Sequence, residues 1–584
     1  MALSSIGDEP AAPLYDERAH HQEQRRATRG TPWLLAVILT VNFALSIAGD
    51  DWGLPYIWHT DEKIDPAVHM IHEHTLDPDY FINPHLHIYA MALAVKLAYA
   101  LNPGHTVMLS MHRIWDLLDP ANPDRRIQYM AMRLSRGLSA LFALGTILTV
   151  FAIARRHWGE ATALLAAAFL AVTMGLVNLA HFGTPESLLF LMMVLCLWAC
   201  DRLMTSGRTR DYALVGVFAG LALATKYTAW ILAVPIVVAH VQRLGRHAIS
   251  WPSAGQLIVC GVVGFLAFAA TNPYAFIRWS DFLYWGFWFN WYTGTPTGSL
   301  IGIRRSYGPY FWLLIDCLGW PLFIAGGTGA VIGLARLWRG PRDDAEGRGY
   351  LIQLAWALPF YVFYGMSPHH ALRFIMPIVP SLALLAAVAV TTLIARARAP
   401  WQRRALVAAA TLIALYSAIY TLRADWMYYH DTRYAAGRWL ESHRYSLTQR
   451  LYYMEGEAYL PYFGEPFPLK FFPFMDDVGG FPGKKFEDAA AAFYATATDP
   501  IVDSNFYWDR YLDRPWVFPE RTAFYRQLLD GSNPGGYRPA ARFWLKNPWW
   551  LDPRPERIAP EIVVFGKPEF LRALGGHVVE HVER

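Results

Sequence analysis

Cysteine is nearly missing from this chain: Cys196, Cys200, Cys260 and Cys317 all lie within or beside apolar runs, and none follows in the polar C-terminal third. That excludes a disulfide framework and a thiolate zinc site. Charge is scarce as well. Only 17% of the 584 residues are charged, against 54% hydrophobic and 15% aromatic, which excludes an ordinary water-soluble globular protein. The basic excess is only +4 and sits in short loops between apolar blocks, which excludes an extended nucleic-acid-binding face. The sequence has no Gly-rich phosphate loop and no internal repeat of about 20 to 50 residues, so neither a nucleotide cradle nor a solenoid is indicated. Roughly thirty polar residues precede the first apolar run at Trp33, so that run reads as a retained anchor and not as a cleaved leader.

Long apolar blocks are abundant. A helix crossing about 30 Å of hydrocarbon needs roughly 20 apolar residues. Blocks near that length predict spans at about 33–49, 84–101, 134–153, 161–178, 187–202, 212–225, 228–241, 254–272, 309–335, 350–366, 374–395 and 405–422. Arg18, Arg25, Arg26 and Arg29 precede the first span and place residues 1–31 in the cytoplasm and the loop 50–83 outside. Basic clusters at 202–210, 243–246, 336–348 and 396–404 alternate with aromatic, Pro-rich loops, so residues 425–584 fall outside too. Twelve spans would put the C-terminus inside; the charge pattern demands an odd number, eleven or thirteen, with short or broken helices expected between Arg155 and Glu186. From about Asp425 the sequence turns charged and rich in Pro, Tyr and Trp, with strand-like runs at Arg450–Met454 and Glu561–Phe565, an α/β-type soluble domain.

The first external loop opens with Asp50 and Asp51 and continues to His59-Thr60-Asp61-Glu62-Lys63, where Thr60 reads as the N-cap of an interfacial helix reaching about His74. Asp61 and Glu62 have two readings. They complement the helix dipole, an effect of about 0.3–1 kcal/mol, or one carboxylate serves as a general base at the membrane surface. His69, His72 and Glu73 have the three- and four-residue spacings that put metal ligands on one helix face, which leaves a divalent metal open. Twenty histidines make such spacing common by chance. Lys226 and Glu186 interrupt apolar stretches, where a lone charge is costly, so each lines a polar cavity, ends a helix or pairs with the other. Trp279, Trp285, Trp288 and Trp291 read as an aromatic belt.

Five stretches taken together are similar to the GT-C membrane glycosyltransferases, in particular the protein O-mannosyltransferase and lipid A aminoarabinose-transferase group. They are the acidic pair after the first span followed by Asn83-Pro84-His85-Leu86-His87-Ile88-Tyr89, then Arg133-Leu134-Ser135, Ala154-Arg155-Arg156-His157-Trp158-Gly159, Gly220 to Tyr227, and Leu372-Arg373-Phe374-Ile375-Met376-Pro377 with Pro380. The resemblance implies a mainly α, polytopic GT-C fold of about eleven to thirteen spans, with an extracytoplasmic C-terminal α/β domain, in a bacterial inner or plasma membrane. It also implies a polyprenyl-phosphate sugar donor, a glycan, lipid or protein acceptor, and an aspartate base in the first external loop, the position Asp61 holds, with Glu62 orienting it or binding acceptor. The sequence departs from the aminoarabinose group at Asn83 and Pro84, where relatives carry a basic residue before Pro-Pro.

A lipid-linked phosphate calls for cations that hydrogen-bond, and the guanidinium fork suits it best. Arg373, following His369 and His370, is the first candidate; Arg304 and Arg305 are the second, and Lys226 is a further one. Tyr227, Glu186, His85 and His59 are candidate contacts to sugar or acceptor. A transporter or lipid flippase is the alternative class, since many spans and embedded charges would suit it also.

Overall fold

The computed structural model describes residues 17–59, 61–102, 123–289, 306–367, 370–443, 451–453, 460–464, 469–471, 486–575 and 579–583. Thr60, Trp291, Arg304, Arg305 and His369 lie outside them.

Among the described residues, seven helices are long and apolar enough to cross a membrane: Arg126–Ala171, Glu186–Ser206, Tyr227–Ala248, Trp251–Thr271, Trp320–Arg339, Leu372–Arg396 and Pro400–Ser442. Thr31–Ile47, Leu86–Ala100 and Gly308–Leu318 are apolar and shorter. Outward-facing Leu, Val, Ile and Phe on these helices are widely exposed, among them Leu93, Ile258, Phe265, Val331 and Leu412, which hydrocarbon tolerates and water does not. The chain is an integral membrane protein.

Two expected spans are interrupted. The stretch 309–335 divides at Gly319, whose φ of 70° ends one helix and starts the next, a conformation that costs a residue with a side chain. The stretch 161–178 continues a helix that is kinked at Gly159 and ends at Ala171; a separate short helix, Met174–Ala180, follows it. A polar turn then leads into Glu186–Ser206, and that turn carries part of the site described below.

Helix pairing relies on close backbone approach. Thr209–Thr225 crosses Trp251–Thr271 with Gly216 against the Cys260 carbonyl and Gly220 against the Gly264 carbonyl, both closer than any side chain would allow. Without a hydrophobic force between helices in lipid, such small-residue contacts supply the packing.

The C-terminal part contains a mixed six-stranded sheet in the order β2-β1-β3-β5-β4-β6, with β1 Leu451–Tyr453, β2 Leu469–Phe471, β3 Ile501–Ser504, β4 Arg538–Leu545, β5 Ile562–Gly566 and β6 Val579–Glu583. Its period-2 alternation sends Leu451, Val502, Ala541, Phe543, Ile562 and Val564 into one core continuous with the membrane helices. Tyr452, Ile501, Val563 and Phe565 face a second core under the helices Phe486–Thr496, Asn505–Leu512 and Pro519–Asp530. The sheet is thus joined to the helical part by apolar packing.

Gly220→Ala tests the close crossing. Alanine gains about 1 kcal/mol of helix propensity, but forcing the backbones apart costs about 1–3 kcal/mol, so the thermal midpoint in detergent falls. Gly261→Ala, on the same pair of helices and facing open space, leaves the midpoint unchanged or raised.

Candidate active site

The first loop is built from successive tight turns, with Trp52 N donating to Gly49 O at 2.9 Å, Tyr56 N to Gly53 O at 2.7 Å and Glu62 N to His59 O at 3.0 Å. The expected helix begins only at Asp65 and ends at His72. Asp61 and Glu62 therefore precede it by several residues and do not serve as its first-turn charges.

Glu62 is fully consumed. Arg136, from the long helix after residue 122, donates Nε to Glu62 Oε1 at 2.8 Å and Nη2 to Oε2 at 2.7 Å, with both side chains essentially inaccessible. Arg136 Nη1 donates to the carbonyls of Asp50 and Trp52 at 2.7 and 2.9 Å. Gly183 N, from the polar turn, donates to Glu62 Oε1 at 2.7 Å. This places Glu62 as the anchor of the loop and leaves it no oxygen for an acceptor.

Asp61 points the other way. Its Oδ2 lies 3.0 Å from Arg373 Nε, and Arg373 in turn pairs through Nη1 with Glu556 of the C-terminal domain. The Arg373 backbone N donates to Glu556 Oε2 at 3.2 Å, while Glu556 N donates to Asn178 Oδ1 at 3.1 Å. Beside them Lys226 Nζ sits 2.6 Å from Glu186 Oε1, the pairing expected as one of its readings. Lys226 and Arg373 both lie 5.0 Å from the Phe374 ring centre, so the two cations share one aromatic ring.

Exposure separates the four carboxylates. Asp61 keeps 31% of its side chain accessible, whereas Glu556 keeps 8%, Glu186 1% and Glu62 none. Burial would raise the Asp61 carboxyl, but Arg373 foremost, then His59 and Lys226, hold it well below the usual carboxylate range. It is ionised at any physiological pH. His59 accepts from the Asp61 N–H through Nδ1 at 3.3 Å and packs on Phe182 at 4.3 Å. Burial lowers His59 from 6.5 to about 4, only partly offset by Asp61 and Glu62, so the ring is neutral with its proton on Nε2, an atom with no partner among the described residues. Glu186 Oε2, Thr184 Oγ1 and His87 Nδ1 are likewise buried and unpartnered nearby, and the opposite ring nitrogen of His87 donates to Gly183 O at 2.9 Å.

The remaining candidates are distributed as follows. Tyr227 OH donates to Phe81 O at 3.2 Å, and His85 is buried in the row Phe81, His85, Tyr89, with its backbone N donating to Asn272 Oδ1 at 2.6 Å. His370 is exposed against the Tyr310 ring at 5.7 Å. His69, His72 and Glu73 do not converge, and among the described residues no group of three metal-binding side chains forms. Sequence reasoning missed Arg136 and Glu556. Arg136 was visible as a charge just inside an apolar block; nothing in the sequence around Glu556 marks it.

Residues 131–273 match the family model described as dolichyl-phosphate-mannose-protein mannosyltransferase. That stretch holds Arg136, Gly183, Glu186 and Lys226 and stops short of Arg373. The matched stretch lies within the part of the chain whose sequence resembles the GT-C membrane glycosyltransferases. Among solved structures, apo ArnT from Cupriavidus metallidurans is similar at 17% identity with a TM-score of 0.45, covering 92% of this chain and 98% of its own. The apo oligosaccharyltransferase of Archaeoglobus fulgidus is similar at 14% identity with a TM-score of 0.47, covering 82% of this chain and 71% of its own. No curated protein sequence matches the chain.

Two outcomes are expected. Glu62→Gln leaves the Arg136 charge buried without its counter-ion, a loss of about 3–5 kcal/mol, read as a large drop in the thermal midpoint; the double change to Glu62→Met with Arg136→Met recovers much of it. For His59, the unfolded chain binds a proton that the folded one refuses between about pH 6.5 and 4. Stability is therefore full above that window and falls as pH drops through it. His59→Gln flattens the pH dependence of the thermal midpoint across the same window.

Proposed function

We propose that this protein is a glycosyltransferase that moves a sugar from a polyprenyl-phosphate donor to an acceptor hydroxyl of a glycan, lipid or protein on the extracytoplasmic side of a bacterial inner or plasma membrane. In this reading residues 1–31 are a cytoplasmic tail, 32–424 the catalytic membrane domain and 425–584 an extracytoplasmic domain. The observation that carries it is Asp61: the one accessible carboxylate of a four-carboxylate cluster, ionised, and seated against Arg373 and beside Lys226.

The chemistry follows from that arrangement. The acceptor oxygen attacks the anomeric carbon as Asp61 takes its proton, and the bond from that carbon to the phosphate oxygen breaks. The phosphate leaves with the electron pair and its charge develops against Arg373 and Lys226, the electrostatic part of the catalysis. A direct displacement inverts the configuration. In this reading His59 Nε2–H and the Thr184 hydroxyl, both buried and without a partner among the described residues, hold hydroxyl groups of sugar or acceptor. A carrier or flippase would have no use for an open ionised base among otherwise sealed carboxylates, which favours the enzyme.

The test is transfer of radiolabelled sugar from a panel of hexosyl and pentosyl polyprenyl phosphates by the purified protein in nanodiscs. Asp61→Asn is expected to lower turnover by about 10²–10⁴-fold, the range for losing a general base, while keeping the fold. Arg373→Lys is expected to raise the KM for donor, because an ammonium cannot form the bidentate fork. A folded Asp61→Asn protein with full activity would remove the base assignment. A panel in which no donor binds or turns over would move the reading to the carrier.

A further inference from the structure

The turn Lys546–Asp552 leaves β4 and runs beside the helix Pro400–Tyr429 before the chain reaches Glu556. Three contacts mark its course down that helix. Arg423 Nε donates to Asn547 Oδ1 at 2.8 Å, Tyr420 OH to Asp552 O at 3.3 Å, and Tyr416 OH to Trp550 O at 2.9 Å. Trp550 is therefore the part of the turn that reaches furthest along the helix, away from its Arg423 end. At this tip Trp549 is 91% exposed and Trp550 51%, and Pro548 precedes them.

The depth of the tip follows from helix geometry. The apolar stretch of this helix starts after Arg404, and Tyr416 stands twelve residues on, about 18 Å at 1.5 Å per residue. That is well inside a hydrocarbon layer of about 30 Å. The helix is open to lipid at the same levels, with Leu412, Leu415, Ile419 and Leu422 exposed. On the neighbouring side Tyr416 packs against Gly319, next to Trp320, which forms an exposed pair with Trp312 at 5.9 Å. Four exposed tryptophans thus gather around Tyr416, where the soluble domain meets the lipid-facing surface.

We propose that the tip Pro548–Leu551 is a wedge inserted into the outer part of the bilayer, its partner being the acyl and glycerol region of the lipids. Tryptophan is the side chain favoured there, with an apolar ring and a hydrogen-bonding edge. The polar residues of the turn are neutralised or kept near the surface: Asp552 accepts from Asn547 at 3.0 Å and pairs with Arg554 at 3.2 Å, and Lys546 lies at the Arg423 end. Seating the wedge also fixes the height of Glu556, four residues past Asp552, whose carboxylate holds Arg373.

The proposal does not depend on the enzymatic reading and is tested without turnover. Trp549→Cys is labelled with bimane in the full-length protein in phosphatidylcholine–phosphatidylglycerol nanodiscs; the four native cysteines are buried. Asp530→Cys, on an exposed face of the same domain, is the aqueous control. Lipid nitroxide at acyl carbon 5 is expected to quench the label at 549 several-fold more than at 530, with iodide in the buffer showing the reverse order. Equal iodide quenching at the two sites, or no nitroxide quenching at 549, overturns the wedge. Pro548→Cys supplies a second probe at the tip that leaves both tryptophans in place, and must give the same order.

Discussion

The Arg136 to Glu62 pair is the interaction on which the site depends. Both groups are cut off from water, so each would be prohibitively costly alone, and the bidentate geometry with two further carbonyls and one backbone N–H leaves neither with an unmet charge. Because the donors and acceptors come from three places, the pair fastens the first loop, the long helix after residue 122 and the polar turn at Gly183 to one another. Asp61 is the next residue along the loop from this anchor. Its position and direction are therefore inherited from Glu62, and its side chain stays accessible while its neighbour is spent on structure.

The C-terminal domain supplies the other half of the same enclosure. Asp431 accepts from Trp52 Nε1 at 3.1 Å, and Arg433 lies 4.0 Å over the Trp58 ring while donating to Arg557 O at 2.7 Å. Tyr56 OH donates to the Phe463 carbonyl at 3.2 Å. The first loop is thus held by Arg136 of the helical part and again by residues of the C-terminal part, and Glu556 arrives at Arg373 as part of that second grip. A domain that only chose an acceptor would not need to place a buried carboxylate on Arg373, the proposed phosphate ligand. Its contact with Arg373 makes it a component of the site.

How much of this was legible in the sequence divides along physical lines. The apolar blocks, the C-terminal strands at Leu451–Tyr453 and Ile562–Gly566, and the pairing of Glu186 with Lys226 could be read because length, alternation and the cost of embedded charge are local signals. Asp61 and Arg373 could be named from their loops, and they do meet, across some three hundred residues of chain. The role of Glu62 could not be read, because adjacency to Asp61 suggested a shared task whereas opposite orientations of neighbouring side chains gave them different ones. The helix start at Asp65 was misplaced because Thr60 and the acidic pair imitate a capping sequence, yet here tertiary partners claim both acids. Glu556 lies in a Pro-rich loop without periodicity, so only the folded chain connects it to Arg373.

That connection bears on how the proposed reaction would be timed. A carboxylate held well below its usual range by a guanidinium is ionised but a poor proton acceptor, since basicity falls with pKa. Arg373 is also shared with Glu556, so part of its charge is already balanced before any donor arrives. A phosphate entering between Arg373 and Lys226 would draw the guanidinium toward itself and add negative charge beside Asp61. Both effects raise the affinity of Asp61 for a proton, since it loses cationic stabilisation and gains a like-charged neighbour. In the proposed reaction the base would thus be strengthened by donor binding itself, and an acceptor hydroxyl, or water, reaching Asp61 in the empty site would meet a carboxylate too weak to activate it.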